Sequence, residues 1–222
     1  MATQTVTQTV AATHPDPFLE RALAWTRIHR QATSWIITVL VVGAVLLVWT
    51  ASSTKRSEAI AGRQLQGARY AFDNQNLPLA ASELARLIEN YSGTNAAAEG
   101  RLLLAQVRLL QGQPQQAVEL MHAFAPKAGV AFRAQAYGLL GAAYENLGRQ
   151  GEAAEAYQNG AERARMDFLQ AQMLSDAGRA WVAAGDTAKA IAAYRRIVEQ
   201  LPKEAAVAEA KVRLGELTKG TP

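Results

Sequence analysis

The chain has 222 residues, enough for one domain of ordinary size or a smaller domain with an appendage, and too few for a multi-domain machine. Alanine supplies 46 of them and aromatics only 7%, with 16 Gly and 7 Pro, which favours helices packed through small side chains over a sandwich or barrel. Cysteine is absent, removing disulfides, thiol nucleophiles and thiolate metal sites without fixing a compartment, and the net charge of +4 is dispersed over 23 Lys/Arg and 19 Asp/Glu, which excludes a nucleic-acid arm or an acidic tail.

Residues 1–15 are mostly Thr, Gln, Val and Ala without periodicity, and read as a disordered N-terminal tail. Order is expected from Asp16, a good N-cap followed by Pro17 at the first helical position. Phe18, Ala22, Trp25 and Ile28 then recur at helical spacing with Arg21, Arg27 and Arg30 between them. Residues 16–30 therefore predict a short amphipathic juxtamembrane helix, lying on the membrane surface or extending the next helix upward.

Residues 31–54 hold no charged side chain, and Arg30 and Lys55 close the stretch. A helix of this length is ~30 Å or more long, the thickness of a bilayer's hydrocarbon core, and places Trp35 and Trp49 ~21 Å apart, near the two interfaces. A cleaved signal peptide does not fit, because 34 residues precede the apolar run and no A-x-A site follows it. A buried core helix fits poorly too, since β-branched residues lie on every face. One retained transmembrane helix is the expectation, with the lipid bilayer as its partner.

Residues 55–218 contain only fourteen Val, Ile or Thr against long runs of Ala, Leu, Glu, Gln and Arg, a helical composition. Internal repetition then appears. One unit reads Tyr137-x2-Leu140-Gly141-x2-Tyr144, followed by Gly148, Ala153 and Tyr157. The next reads Leu174-x2-Ala177-Gly178-x2-Trp181, followed by Gly185, Ala190, Tyr194 and Pro202. Gly141 or Gly178 allows close approach of two helices, the aromatic one turn later fills the space beside it, and Gly148 or Gly185 supplies the turn. Taking the small residue as a marker, equivalents stand at Ala68, Ala105, Gly141, Gly178 and Gly215, spaced 37, 36, 37 and 37. The first unit keeps Ala80, Leu84, Leu87 and Tyr91; the second keeps Leu104, Gly112, Ala117 and Met121 but has Arg108 in place of an aromatic. The last has one helix with Leu214 and Gly215, a cap for the solenoid end, and 219–222 form a C-terminal tail.

These units resemble the tetratricopeptide repeat, whose pattern is W-x2-L-G-x2-Y, then A-x3-F, then P, over about 34 residues. The resemblance implies an all-α solenoid of about four helix-turn-helix repeats and a capping helix over 55–218. One membrane helix ahead of a degenerate first repeat, with the segment Leu87-Ile88-Glu89-Asn90-Tyr91, is in turn similar to the YfgM-like ancillary translocon proteins of bacteria. That second resemblance implies repeats facing the periplasm, a place in the inner membrane, and association with the Sec translocon and periplasmic chaperones.

Catalytic motifs are missing. His14, His29 and His122 stand alone, outside any metal-ligand spacing, and neither a phosphate-binding loop nor a nucleophile elbow occurs. Glu152, Glu155 and Glu162 alternate with Arg149, Arg163 and Arg165 as a solvated helix face. The reading is a protein without enzymatic activity, cofactor, metal, nucleic-acid partner or small-molecule substrate, whose partners are proteins or peptides.

Such a solenoid is expected to bind on the concave face formed by the first helix of each repeat. Counting from the markers, the inward positions are Leu65, Arg69 and Phe72, then Leu102, Gln106 and Leu109, then Gly138, Ala142 and Glu145, then Ser175, Arg179 and Val182. The first half is more apolar and the second has small residues, which suits an extended or helical peptide. Ala142 and Leu139 stand where carboxylate-clamping relatives carry polar residues, which disfavours that mode. Two functions follow: a membrane-tethered module recruiting secretory clients or their chaperones, or a stoichiometric accessory subunit of a large respiratory or photosynthetic membrane complex. Arg21, Arg27 and Arg30 before the span against Lys55, Arg56, Arg63 and Arg69 after it do not orient the helix. The family resemblance tips the expectation to a cytoplasmic N-terminus.

Overall fold

The computed structural model describes residues 30–220, so the tail expected over 1–15 and the juxtamembrane helix expected over 16–30 lie, Arg30 apart, outside the described residues. The described residues are 85% helix, with no strand among them. The helices are α1 (Arg30–Asp73), α2 (Leu77–Asn90), α3 (Asn95–Leu110), α4 (Pro114–Phe124), α5 (Val130–Asn146), α6 (Gln150–Arg163), α7 (Asp167–Ala183), α8 (Thr187–Gln200) and α9 (Ala206–Thr218); a 3-10 turn (Ala125–Lys127) follows α4. They divide into two compact units, one ending at Ser53 and the other beginning at Thr54.

In the first unit, Trp35, Val39, Leu40, Val45, Leu47 and Trp49 are all exposed. Its hydroxyls turn onto the helix itself: Thr38 Oγ1 donates to the Ser34 carbonyl at 2.8 Å and Thr50 Oγ1 to that of Leu47 at 3.0 Å. Among the described residues α1 is the one helix long and apolar enough, by length and composition, to cross a membrane.

The second unit is a succession of helix pairs. The part of α1 within it pairs with α2, α3 with α4, α5 with α6 and α7 with α8, and α9 follows alone. All four pairs reverse through the same turn. Gly112, Gly148 and Gly185 take φ of 69°, 73° and 81°, where a side chain is strained. The next residue donates back across the turn: Gln113 to Arg108 O at 2.8 Å, Arg149 to Tyr144 O at 2.9 Å, Asp186 to Trp181 O at 2.9 Å. In the first pair Gln75 holds this place with φ of 59°, and Asn76 N–H donates to Ala71 O at 2.9 Å. Asn76, Thr94 and Asp186 then cap α2, α3 and α8 with side-chain oxygens on Leu79, Ala97 and Lys189 N–H.

Packing follows the small residues. A Cβ on Gly141 would lie 2.7 Å from the Tyr157 ring, and one on Gly178 would lie 2.6 Å from that of Tyr194. The ring over each glycine thus comes from the second helix of the pair, while Tyr144 and Trp181, one turn on, are buried elsewhere in the core. Helix α3 joins two core clusters: Leu104 and Val107 meet Leu65, Leu84 and Leu87 of the first pair, whereas Leu102 and Ala105 meet the cluster running on to Tyr194 and Ala210. Glu58 adds a polar clasp, both carboxylate oxygens accepting from Asn95 and Ala96 N–H at 2.9 Å. At the far end α9 buries Ala210, half-buries Leu214 and Leu217, and turns Glu209, Lys211, Arg213 and Glu216 outward, so one helix closes the core and presents a polar face.

Candidate functional site

The first helices of the four pairs line a groove of about 780 Å³. Helix α1 contributes Arg69, Phe72 and Asp73; α3 contributes Glu99, Leu102, Leu103 and Gln106; α5 contributes Phe132, Gln135, Gly138, Leu139 and Ala142; α7 contributes Leu169, Gln172, Met173 and Asp176. Tyr157, from a second helix, reaches the floor beside Gly141. Gly138 has the same use, since a Cβ there would lie 2.6 Å from Met173 Cε. These glycines bring neighbouring helices close enough for side chains of one to form the floor beside another.

The groove crosses successive helices obliquely. On α1 it uses the last turn, on α3 and α5 the middle and N-terminal turns, and on α7 only the N-terminal half. Of the positions expected from the sequence, Arg69, Phe72, Leu102, Gln106, Gly138 and Ala142 line it. Leu65 is 4% exposed and belongs to the core, and Leu109 packs half-buried against the core. Ser175 lines a separate depression with Phe168, Glu204 and Glu209, and Val182 is exposed away from the groove. The residues missed are the stripe two turns upstream, Glu99, Gln135 and Gln172, with Phe132 and Leu169 beyond it, Leu103, Met173 and Asp176 beside it, Asp73 at the α1 end and Tyr157 from a second helix; Leu139, named with Ala142 in the sequence reading, lines the groove too. A helical face recurs at i, i+3, i+4 and i+7, so this stripe was visible as polar residues seven before Gln106, Ala142 and Arg179.

The charged groups are largely engaged with one another. Arg69 forms an ion pair with Glu99 across the first and second pairs. Arg179 is bidentate on Glu145, at 2.5 and 3.1 Å, and touches Asp176 at 3.2 Å. Tyr157 donates its hydroxyl to the same Glu145 at 2.8 Å. Burial, then the neighbouring Glu145 carboxylate, pushes the Tyr157 phenol well above its ordinary range, so it stays a donor at any physiological pH. Asp176 is raised by burial, which Arg179 only partly offsets, and the Arg179 guanidinium is held charged first by its hydrogen bond to Glu145. The two arginines expected to meet a partner are therefore braces between repeats. What remains open along the groove is apolar surface, three amides, Gln106, Gln135 and Gln172, and the Asp73 carboxylate.

The family described as the tetratricopeptide repeat-like domain matches residues 49–175, and the tetratricopeptide repeat matches residues 174–203. Among solved structures, a putative kinesin light chain from Podospora anserina with nearly identical tetratricopeptide-like repeats is 18% identical, with a TM-score of 0.57 over 71% of this chain and 84% of that one. A structure of the protein MamA is 20% identical, with a TM-score of 0.54 over 69% of this chain and 83% of the other. At these identities the likeness is one of fold. No curated protein is significantly similar in sequence.

Proposed function

This chain belongs to the tetratricopeptide repeat-like family, and from that premise we propose that it is a membrane-tethered interaction module whose groove takes up a segment of a partner protein. Folds of this family typically serve as non-catalytic scaffolds for protein partners. The observation that carries the reading is the groove itself: it spans all four helix pairs, offers apolar side chains with three amides, and has its one lining arginine, Arg69, already bound to Glu99. Apolar side chains of a guest supply the affinity there, and amides can pair with its backbone.

The tether is α1. Its apolar exposed side chains and self-bonded hydroxyls suit hydrocarbon, where every polar group needs a partner within the segment. The N-terminus lies in the cytoplasm and the repeats in the periplasm of a bacterial inner membrane, where the module recruits secretory clients or their chaperones near the Sec translocon. The resemblance of the segment 87–91 and the order of anchor and repeats support this placement. A photo-crosslinking residue at Ala142 tests the groove in cells, with one at the exposed Val212 of α9 as reference. Several client proteins captured from Ala142 and not from Val212 are expected. Crosslinks from Val212 alone would refute groove recognition, and one stoichiometric assembly captured from both would favour a fixed accessory subunit instead. A periplasm-active reporter fused after Pro222 must be active, and silence there reverses the topology.

A further inference from the structure

The charge of the groove runs against that of the chain. The whole sequence is net +4, yet the groove is lined by one arginine, Arg69, and three carboxylates, Asp73, Glu99 and Asp176. Arg69 is taken by Glu99. At the α7 end one guanidinium, that of Arg179, serves both Glu145 and Asp176, with two contacts to the former and one to the latter. At the α1 end Asp73 has no ion-pair partner among the described residues. Each end of an apolar floor thus carries a carboxylate whose charge is under-compensated.

A guest that covers this floor takes water away from both carboxylates. A neutral apolar guest would leave Asp73 desolvated and unpaired and Asp176 desolvated with only its share of Arg179, and an acidic guest would add repulsion; both are costly. Resting on the groove's role as a peptide site, we infer that its occupant is an apolar segment carrying Lys or Arg near both ends, the cations meeting Asp73 and Asp176. Four first helices set about 8–10 Å apart separate the two ends by roughly 25–30 Å, which an extended segment of about eight or nine residues spans. The raised pKa of Asp176 agrees with this, since its burial is not matched by its share of Arg179 and an arriving cation would complete it.

The test uses the full-length chain in lipid nanodiscs. Random peptides of about twelve residues are selected by phage display at low salt, about 50 mM, and counter-selected on Ala142→Trp, which fills the groove, so that only groove-dependent binders remain. The exposed position variant Gln106→Trp replaces it if Ala142→Trp loses helicity. The expected result is enrichment of Lys and Arg over Asp and Glu among those binders. A representative peptide followed by fluorescence anisotropy should bind about five- to ten-fold more weakly to the double variant Asp73→Asn/Asp176→Asn, and added salt should erase most of that difference. Groove-dependent binders that are neutral or acidic, or basic binders indifferent to the double variant, overturn the inference and leave the groove's role standing. A selection in which no binder depends on the groove removes both.

Discussion

The close approach of paired helices at Gly178 makes a prediction whose sign depends on one ring. Alanine at this position adds a Cβ 2.6 Å from Tyr194 Cζ and 2.8 and 2.9 Å from its two Cε atoms. Tyr194 is 2% exposed, so the ring cannot swing aside without moving the core. Such overpacking costs about 1–3 kcal/mol, and a rigid ring struck at three atoms places this site at the upper end. Replacing Gly by Ala inside a helix gains about 1 kcal/mol, so Gly178→Ala should lower stability by about 2 kcal/mol net. Tyr194→Leu opens the space at its own cost of about 2–4 kcal/mol, and in that background Gly178→Ala keeps only its helical gain and becomes stabilising by up to about 1 kcal/mol. Urea unfolding of the fragment 54–222, followed by far-UV circular dichroism for the four members of the cycle, measures the reversal. The packing account fails if Gly178→Ala stabilises the parent, or has the same effect in both backgrounds.

Trp181→Ala should cost about 3–5 kcal/mol in the same unfolding measurement; Trp181 is 5% exposed and its buried Nε1 has no hydrogen-bond partner among the described residues, so the loss is one of packing, and an unchanged urea midpoint would contradict it. Gln75→Gly should raise stability by about 0.5–1 kcal/mol, since a left-handed non-glycine residue costs ~1–2 kcal/mol and glycine returns part of that as unfolded-chain entropy; a lower thermal midpoint would show the turn is not strained. Burial raises Asp176 in the fold, so its contribution to stability is present below the unfolded carboxylate pKa and is lost as pH rises through the folded value. Asp176→Asn should therefore raise the urea midpoint at neutral pH, with the gain vanishing in acid where both states are protonated; a midpoint lowered at neutral pH would give the Arg179 contact more weight than burial.

Much of the fold was legible because the repeat is written in residues that cannot be exchanged cheaply. Gly112, Gly148 and Gly185 stand where the backbone is left-handed, and Gly141 and Gly178 stand where a ring leaves no room for a Cβ. Their spacing in sequence marks one helix pair after the next. The first repeat reads as degenerate for a physical reason: Gln75 tolerates the same left-handed turn at some cost, so the pattern loses its glycine while the geometry persists. The aromatic over the marker glycine was harder to assign. Tyr144 and Tyr157 both suit a core, and only the crossing of the two helices sets the ring of Tyr157 upon Gly141.

The groove was half legible, and the missing half has one cause. A count from the marker residue assigns the same three positions to every repeat, as though the helices were stacked without rotation. The lining instead sits late in α1, at Phe72 and Asp73, at matching places in α3 and α5, and early in α7, at Leu169 and Gln172. Arg69, Phe72, Leu102, Gln106, Gly138 and Ala142 line the groove as counted, whereas the count fails at Leu65 and Leu109, at Glu145, and at all three positions of α7, Ser175, Arg179 and Val182. Electrostatics followed the same course. Arg69 and Arg179 look alike in sequence, each one residue past its marker, but Arg69 lines the groove against Glu99, whereas Arg179 lies outside the lining, bound to Glu145. The repeat period thus encodes which helices form the face. Where the lining falls along each helix decides which turn a guest can touch, and it sets Asp73 at one end of the floor and Asp176 at the other.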